Sequence, residues 1–219
     1  MIIALFGPDG SGKTTLARIL MNYLLSRNIK VSYIRFKSHH LAMYLTLCLL
    51  RKLSLIPYTS SPRVLDYTLK RYFNRSKLFI CLELVNAIVW LFINIKLRRL
   101  IRERIIIADR YVPDFTVSML LIVPSKNTLN YLSKVLKPFM HNTIKIFLYV
   151  NATDALNRKR DELLSHSYIM TLLRLYAHVT TIVGIDLCIN TSRYGIAKSF
   201  QLVKELIDNR INSGIDILS

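Results

Sequence analysis

The chain has 219 residues, 52% of them apolar, which is enough to bury a sizeable core as one domain without covalent staples. Its 31 Lys and Arg against 13 Asp and Glu give a net charge of +18, so any partner is anionic: nucleotides, nucleic acid or an acidic lipid surface. Cys48, Cys81 and Cys188 lie far apart in apolar runs without metal-ligand spacing; this excludes a cysteine metal cluster and reads as buried core thiols in a reducing cytosol.

Met1-Ile2-Ile3 runs directly into a first apolar strand over 2–6, with no charged leader ahead of it, so no export signal and a cytoplasmic location are expected. Next comes Gly7-Pro8-Asp9-Gly10-Ser11-Gly12-Lys13-Thr14-Thr15, which fits the phosphate-loop pattern G-x-x-x-x-G-K-[ST] at every fixed position. Backbone N–H groups, curled by glycines that tolerate positive φ, form an anion nest there, and the positive end of the following helix reinforces it. Lys13, on what reads as a solvent-facing loop, is expected to reach the β- and γ-phosphates of ATP, and the Thr14 hydroxyl to ligate Mg²⁺.

A helix over 14–27 carries Leu16, Ile19, Leu20, Tyr23 and Leu24 at helical spacing, and a second strand follows over 31–36. Residues 38–53 read as a helix, 56–62 as a loop around Pro57 and Pro62, and 63–104 as helices. Within them, 78–97 is the most apolar stretch, but Glu83, Asn86, Asn94 and Lys96 interrupt it. It falls short of about 18 uninterrupted apolar residues for a membrane span and reads as a buried core helix. The basic run over 96–104 reads as a solvated helix face.

A short β-branched strand over 104–109 ends in an acid, and a loop follows through Pro113. Helices are expected over 114–123 and 127–139, a fourth strand over 143–150, and a helix with a charged middle over 154–174 that extends to 183. A last short strand over 186–190 precedes a final helix over 194–211. Strands alternating with helices mean an α/β fold, a parallel sheet covered on both faces, with no internal repeat or linker.

The second acid discriminates among phosphate-loop proteins. Ile105-Ile106-Ile107-Ala108-Asp109 has the form of a strand that delivers one carboxylate to the sheet edge near Mg²⁺. ATP-hydrolysing machines commonly place a second carboxylate beside that Asp. Here Arg110 follows instead, a fixed cation suited to phosphate, which favours transfer to an acceptor over hydrolysis.

The phosphate loop, the triplet Asp109-Arg110-Tyr111, the segment FLYVNATDALNRKR and the late INTSR, in that order, resemble the thymidylate kinase family over most of the chain. The resemblance implies a P-loop NTPase fold of the nucleoside monophosphate kinase kind: a five-stranded parallel sheet, ATP as donor, Mg²⁺, and a lid over about 155–168. It implies that Asp9 faces the acceptor's sugar, that Asp109 and Arg110 serve Mg²⁺ and phosphate, that Arg158 or Arg160 is a catalytic lid arginine, and that Arg193 helps enclose adenine.

The departures concern the acceptor. Where the family carries an Arg-Phe-Pro or Arg-Glu-Pro segment, this chain has Arg35-Phe36-Lys37-Ser38-His39-His40. Phe79 aligns with the family's base-stacking Phe, but Glu83 stands at the position of its base-reading Arg. The expected acceptor set is therefore Asp9, Arg35, Phe36, Phe79 and Arg110. A small-molecule phosphate acceptor is the expected partner, with a homodimer left open. Two rivals stay open: the same fold acting on a sugar, nucleoside or other small molecule, and a basic NTP-dependent protein that binds nucleic acid or a membrane surface.

Overall fold

The computed structural model describes residues 1–36, 52, 77–100, 105–158 and 165–213; the side chains of 77–80 and 96–100 lie outside that description. The helix expected over 38–53, the loop over 56–62, Cys48, His39, His40 and Arg160 also fall outside it.

Five strands form one parallel sheet: β1 (Ile2–Phe6), β2 (Val31–Arg35), β3 (Ile105–Asp109), β4 (Thr143–Tyr149) and β5 (Leu187–Asn190), in the order β2-β3-β1-β4-β5. β1 is central and fully buried, and its alternation shows how the two faces are filled. Ile3 and Leu5 pack with Leu16, Leu20 and Leu24 of α1 (Lys13–Ser26) and with Val203 and Ile207 of the last helix. Ile2 and Ala4 turn the other way, into a cluster with Phe36, Leu91, Phe115 and Met119. Period-two alternation thus sends one apolar strand into two cores, as a doubly covered parallel sheet requires.

The remaining helices are α2 (Lys77–Leu100), α3 (Val112–Ile122), α4 (Lys126–Leu136), α5 (Ala152–Arg158), α6 (His166–Val183) and α7 (Ile196–Asn212). α3 begins two residues earlier than the sequence reading placed it, with Pro113 inside its first turn, where the missing N–H and fixed φ are tolerated. α4 stops at Leu136 and gives way to a 3₁₀ turn, Lys137–Met140, at Pro138. The single helix expected over 154–183 is two helices. Ser165 is extended and its hydroxyl accepts from the Tyr168 N–H at 3.3 Å, starting α6 afresh.

Two further expectations are corrected. The apolar helix α2 is not buried all round: Leu84, Ala87 and Leu91 face the core, while Leu82, Val85, Val89, Phe92 and Ile93 are exposed, Val85 by 59%. The polar residues Glu83, Asn86 and Asn94 share one stripe, yet Glu83 is buried and the two asparagines half-buried, so polarity does not mark the exposed side of this helix. Nor are Cys81 and Cys188 core thiols, since both are free and exposed. Cys188 lies on the edge strand β5, where its neighbour Ile189 turns into the α1–α7 core instead. Among the described residues, no helix is long and apolar enough to cross a membrane.

Candidate active site

The phosphate loop connects β1 to α1 at the C-terminal edge of the sheet. Gly7 (φ 143°), Gly10 (φ 82°) and Gly12 (φ 84°) all have positive φ, the reason glycine stands at each of these positions. At Gly7 there is a second reason: a Cβ would lie 2.2 Å from the Leu148 carbonyl oxygen of β4. Gly12 caps α1 without a side-chain hydrogen bond, and the first turn holds no acidic residue. The leading N–H groups of α1 therefore remain available to an anion.

Lys13 is not solvent-facing, as the sequence reading had it, but only 5% exposed. Its ammonium folds back over the loop and donates to the carbonyls of Gly7 and Pro8, both at 2.7 Å, and to Ser11 Oγ at 3.3 Å. Burial holds its pKa below the usual 10.5, and Arg110 adds to the effect, against Asp114, Asp9 and Asp109, which raise it.

Asp109 ends β3, fully buried, beside β1 and β2. Its Oδ2 accepts from the Thr14 hydroxyl at 2.6 Å and from Tyr33 OH at 2.7 Å, with Arg35 Nε at 4.0 Å. Its Oδ1 is buried and has no hydrogen-bond partner among the described residues. A hydroxyl and a carboxylate with one unused oxygen, side by side, are hard oxygen donors of the kind Mg²⁺ takes, so these residues fit the ion. Tyr33, whose hydroxyl is pushed up to about 12 by burial and by Asp109, was not singled out in the sequence. Only the pairing of β2 with β3, Tyr33 beside Ile107, brings it to the acid.

Arg110 follows in a left-handed conformation, φ 70°, which costs a non-glycine residue on the order of 1–3 kcal/mol. That turn aims the guanidinium at the phosphate loop, where it is paired with Asp9. Burial works against the charged form, but Asp9 and then Asp114 more than offset it and keep Arg110 cationic. The two residues that the resemblance assigned to acceptor and phosphate thus meet across 101 positions of sequence.

On the opposite rim, Arg158 at the end of α5 donates to the Gly10 carbonyl at 3.1 Å, to Thr191 Oγ1 at 3.1 Å and to the Thr191 carbonyl at 2.7 Å. It ties the phosphate loop to the β5–α7 turn. Arg193, expected near adenine, is exposed and lies over the Tyr194 ring, 5.6 Å from its centroid. The cleft is lined there by Thr191, Tyr194 and Ile196 instead. Phe36 also departs from its expected role: it is buried and packs on Trp90 and Phe115, with ring centroids 4.8 and 5.7 Å away. Phe79 lies on α2, with its side chain outside the described residues.

These groups border a cleft of about 530 Å³, with Asp9, Lys13, Thr14 and Arg110 on its wall and Arg35 and Arg158 at its sides. A β-strand, a glycine loop with its lysine, and a strand-end acid beside the loop's threonine define a P-loop nucleotide-binding fold. Comparison with solved structures narrows the class, and three of those similar along nearly the whole chain illustrate it. A thymidylate kinase from Candida albicans aligns with a TM-score of 0.59 and 20% identity, over 96% of this chain and 92% of that one. The YorR protein of Bacillus subtilis, solved in complex with phosphorylated GDP, aligns with a TM-score of 0.55 and 17% identity over 97% and 98%. A deoxyadenosine kinase from M. mycoides with bound dATP aligns with a TM-score of 0.51 and 16% identity, over 95% of this chain and all of that one. The fold is that of the thymidylate-kinase-like P-loop nucleotide kinases. No protein-family pattern and no curated protein sequence matches the chain.

Proposed function

We propose that the chain is an ATP-dependent phosphotransferase that passes the γ-phosphate to a small-molecule acceptor, a nucleoside monophosphate, with thymidylate the acceptor its resemblance implies. The observation that carries this reading is the convergence of Lys13, Thr14, Asp109, Arg110 and Asp9 on one cleft around an uncapped helix start. The similarity in fold to a thymidylate kinase and a deoxyadenosine kinase supports it. In-line transfer of this kind rests on positioning and on charge, with no covalent intermediate on the protein. Lys13 and Arg110 would hold the transferring phosphate, and Thr14 and Asp109 would hold Mg²⁺, which neutralises charge developing on the phosphate oxygens when bound. Asp9 and Arg35 would face the acceptor, and Arg158 or Arg160 would serve as the catalytic arginine on the donor side, Arg158 standing there beside the Gly10 carbonyl of the phosphate loop. The chain would be one domain and work in the cytoplasm, a reducing compartment that suits the free surface thiols Cys81 and Cys188.

A second reading, the same chemistry on a different acceptor, is favoured by Glu83, which is fully buried at the position where the resembling family has a base-reading arginine. One experiment tests both. ADP release with ATP and Mg²⁺ is measured against a panel of nucleoside monophosphates, nucleosides and sugars. Turnover with one or more monophosphates supports the first reading, turnover only with unphosphorylated acceptors supports the second, and no acceptor-stimulated release refutes both.

A further inference from the structure

Asp114 is 3% exposed, in the first turn of α3, and was singled out by no motif. Its two carboxylate oxygens do different work. Oδ2 accepts from the Tyr111 N–H at 3.0 Å, the bond expected of an acid that caps its own helix. Oδ1 takes two donors from elsewhere in the fold: the Gly7 N–H at 3.3 Å and Tyr176 OH, from α6, at 2.7 Å. Gly7 is the first residue of the phosphate loop, and its carbonyl is one of the two that hold the Lys13 ammonium at 2.7 Å. The run Tyr176 OH, Asp114, Gly7, Lys13 is therefore a continuous buried chain of hydrogen bonds from α6 to the phosphate-binding cation.

We propose that Asp114, locked by Tyr176, is a positioning residue that fixes the Gly7 peptide and through it the phosphate loop and Lys13. This deepens, and rests on, the reading of the cleft as a phosphate-donor site. A helix cap alone explains Oδ2 but leaves both bonds to Oδ1 without a role. All three partners are donors, so the acceptor-only carboxylate suits them, and an amide in its place would turn an N–H₂ toward at least one of them. Asp114 is the polar side chain of the first turn of α3: Val112, Pro113 and Phe115 are apolar, and the Thr116 hydroxyl that follows bonds the Val112 carbonyl. Burial pushes the carboxyl of Asp114 up, while Lys13 and Arg110 pull it down, so the charged form depends on the cations it helps to place.

The test uses the full-length protein and steady-state ADP release with ATP and Mg²⁺ in Asp114→Asn and Tyr176→Phe. Tyr176→Phe leaves the cap bond to Tyr111 in place and removes only the arm from α6, so it separates capping from loop positioning. A loop displaced by a fraction of an ångström loses transfer efficiency, and kcat/KM for ATP is expected to fall roughly 10- to 100-fold in Asp114→Asn and by a smaller factor in Tyr176→Phe. KM for the acceptor stays at the wild-type value in both. Wild-type kcat/KM for ATP in both variants overturns the inference and leaves the proposed function standing. So does a loss in Asp114→Asn with unchanged kinetics in Tyr176→Phe, because the α6 hydroxyl then does not lock Asp114 against the loop. If Asp114→Asn does not fold, Tyr176→Phe decides by the same criterion. If the wild-type protein turns over no acceptor and binds no ATP by calorimetry, the proposed function fails first and this inference falls with it.

Discussion

Replacing Lys13 by Met separates what this residue does for the fold from what it does for phosphate. In the structure the ammonium makes two 2.7 Å bonds to backbone carbonyls in a site where it is 5% exposed. Hydrogen bonds to a charged group contribute about 1.5–3 kcal/mol each, so their loss would destabilise by several kcal/mol. Burying the ammonium costs about as much, several kcal/mol per ion, and methionine of similar length escapes that cost. The two effects nearly cancel. For a chain of this size a residual of about 1–2 kcal/mol moves the melting temperature by roughly 2–8 °C. The rate does not share this cancellation, because methionine offers the transferring phosphate no charge; the loss of one preorganised contact lowers turnover by about 10² to 10³. Differential scanning fluorimetry together with a coupled ADP-release assay measures both. Turnover at the wild-type level in a folded Lys13→Met protein would refute the assignment of the phosphate loop.

Asp109→Asn, which keeps shape but removes the charge between Thr14 and Tyr33, is expected to raise the Mg²⁺ concentration needed for half-maximal turnover while leaving Mg²⁺-free ATP binding nearly intact; a wild-type magnesium titration makes Asp109 a strand-end acid only. The pH profile of kcat/KM for ATP is expected to fall on its alkaline side below the ordinary lysine range near 10.5, because burial first and Arg110 second lower Lys13, and the protonated form proposed to hold phosphate is lost as pH rises through that lowered pKa. Asp9→Asn removes a carboxylate that raises Lys13, so its alkaline limb lies at still lower pH; a limb that moves upward contradicts the sign. With Glu83 at the position of the family's base-reading arginine, thymidylate is not expected to be strongly preferred. Selectivity for it above about 10³-fold over every other acceptor exceeds what apolar stacking supplies and would overturn that expectation.

The parts of this site legible in the sequence are those fixed by local spacing. Glycines at 7, 10 and 12 with Lys13 and Thr14 declare a phosphate loop because the backbone geometry is short-range, and Asp109 is visible because an acid ending a β-branched strand has few other uses. Tyr33, Asp114 and Tyr176 were not legible. Their contacts span 76, 107 and 62 positions, and no spacing rule connects an α6 tyrosine to the acid of an α3 first turn. Pro113 was a usable signal that α3 began two residues early, at Val112, and Ser165 a usable signal that α6 began anew. The exposed side of α2 was beyond sequence reasoning of either kind, since Leu82 and Leu84 are the same residue type on opposite sides of one helix.

The charge of the chain also reads differently once the cleft is known. Lys13, Arg35, Arg110 and Arg158 border it, while Asp9 is on its wall and Asp109 and Asp114 lie beneath. Four cations against three carboxylates leave the site about one unit positive, out of +18 for the chain. Local pairing therefore tunes the site, Asp9 to Arg110 and Asp109 to Thr14 and Arg35, and most of the excess charge lies outside it. A field of that origin acts at long range: it draws any polyphosphate toward the molecule and is screened over about 10 Å at 0.1 M salt, whereas contacts inside the cleft are screened much less. Salt should thus slow nucleotide association far more than it slows dissociation. A nucleic-acid or membrane-surface protein would behave otherwise, because releasing counterions from many phosphates makes its whole affinity for DNA or anionic vesicles fall steeply with salt. Salt series with ATP and with DNA, run side by side, distinguish a cleft served by a diffuse field from a surface that is itself the binding site.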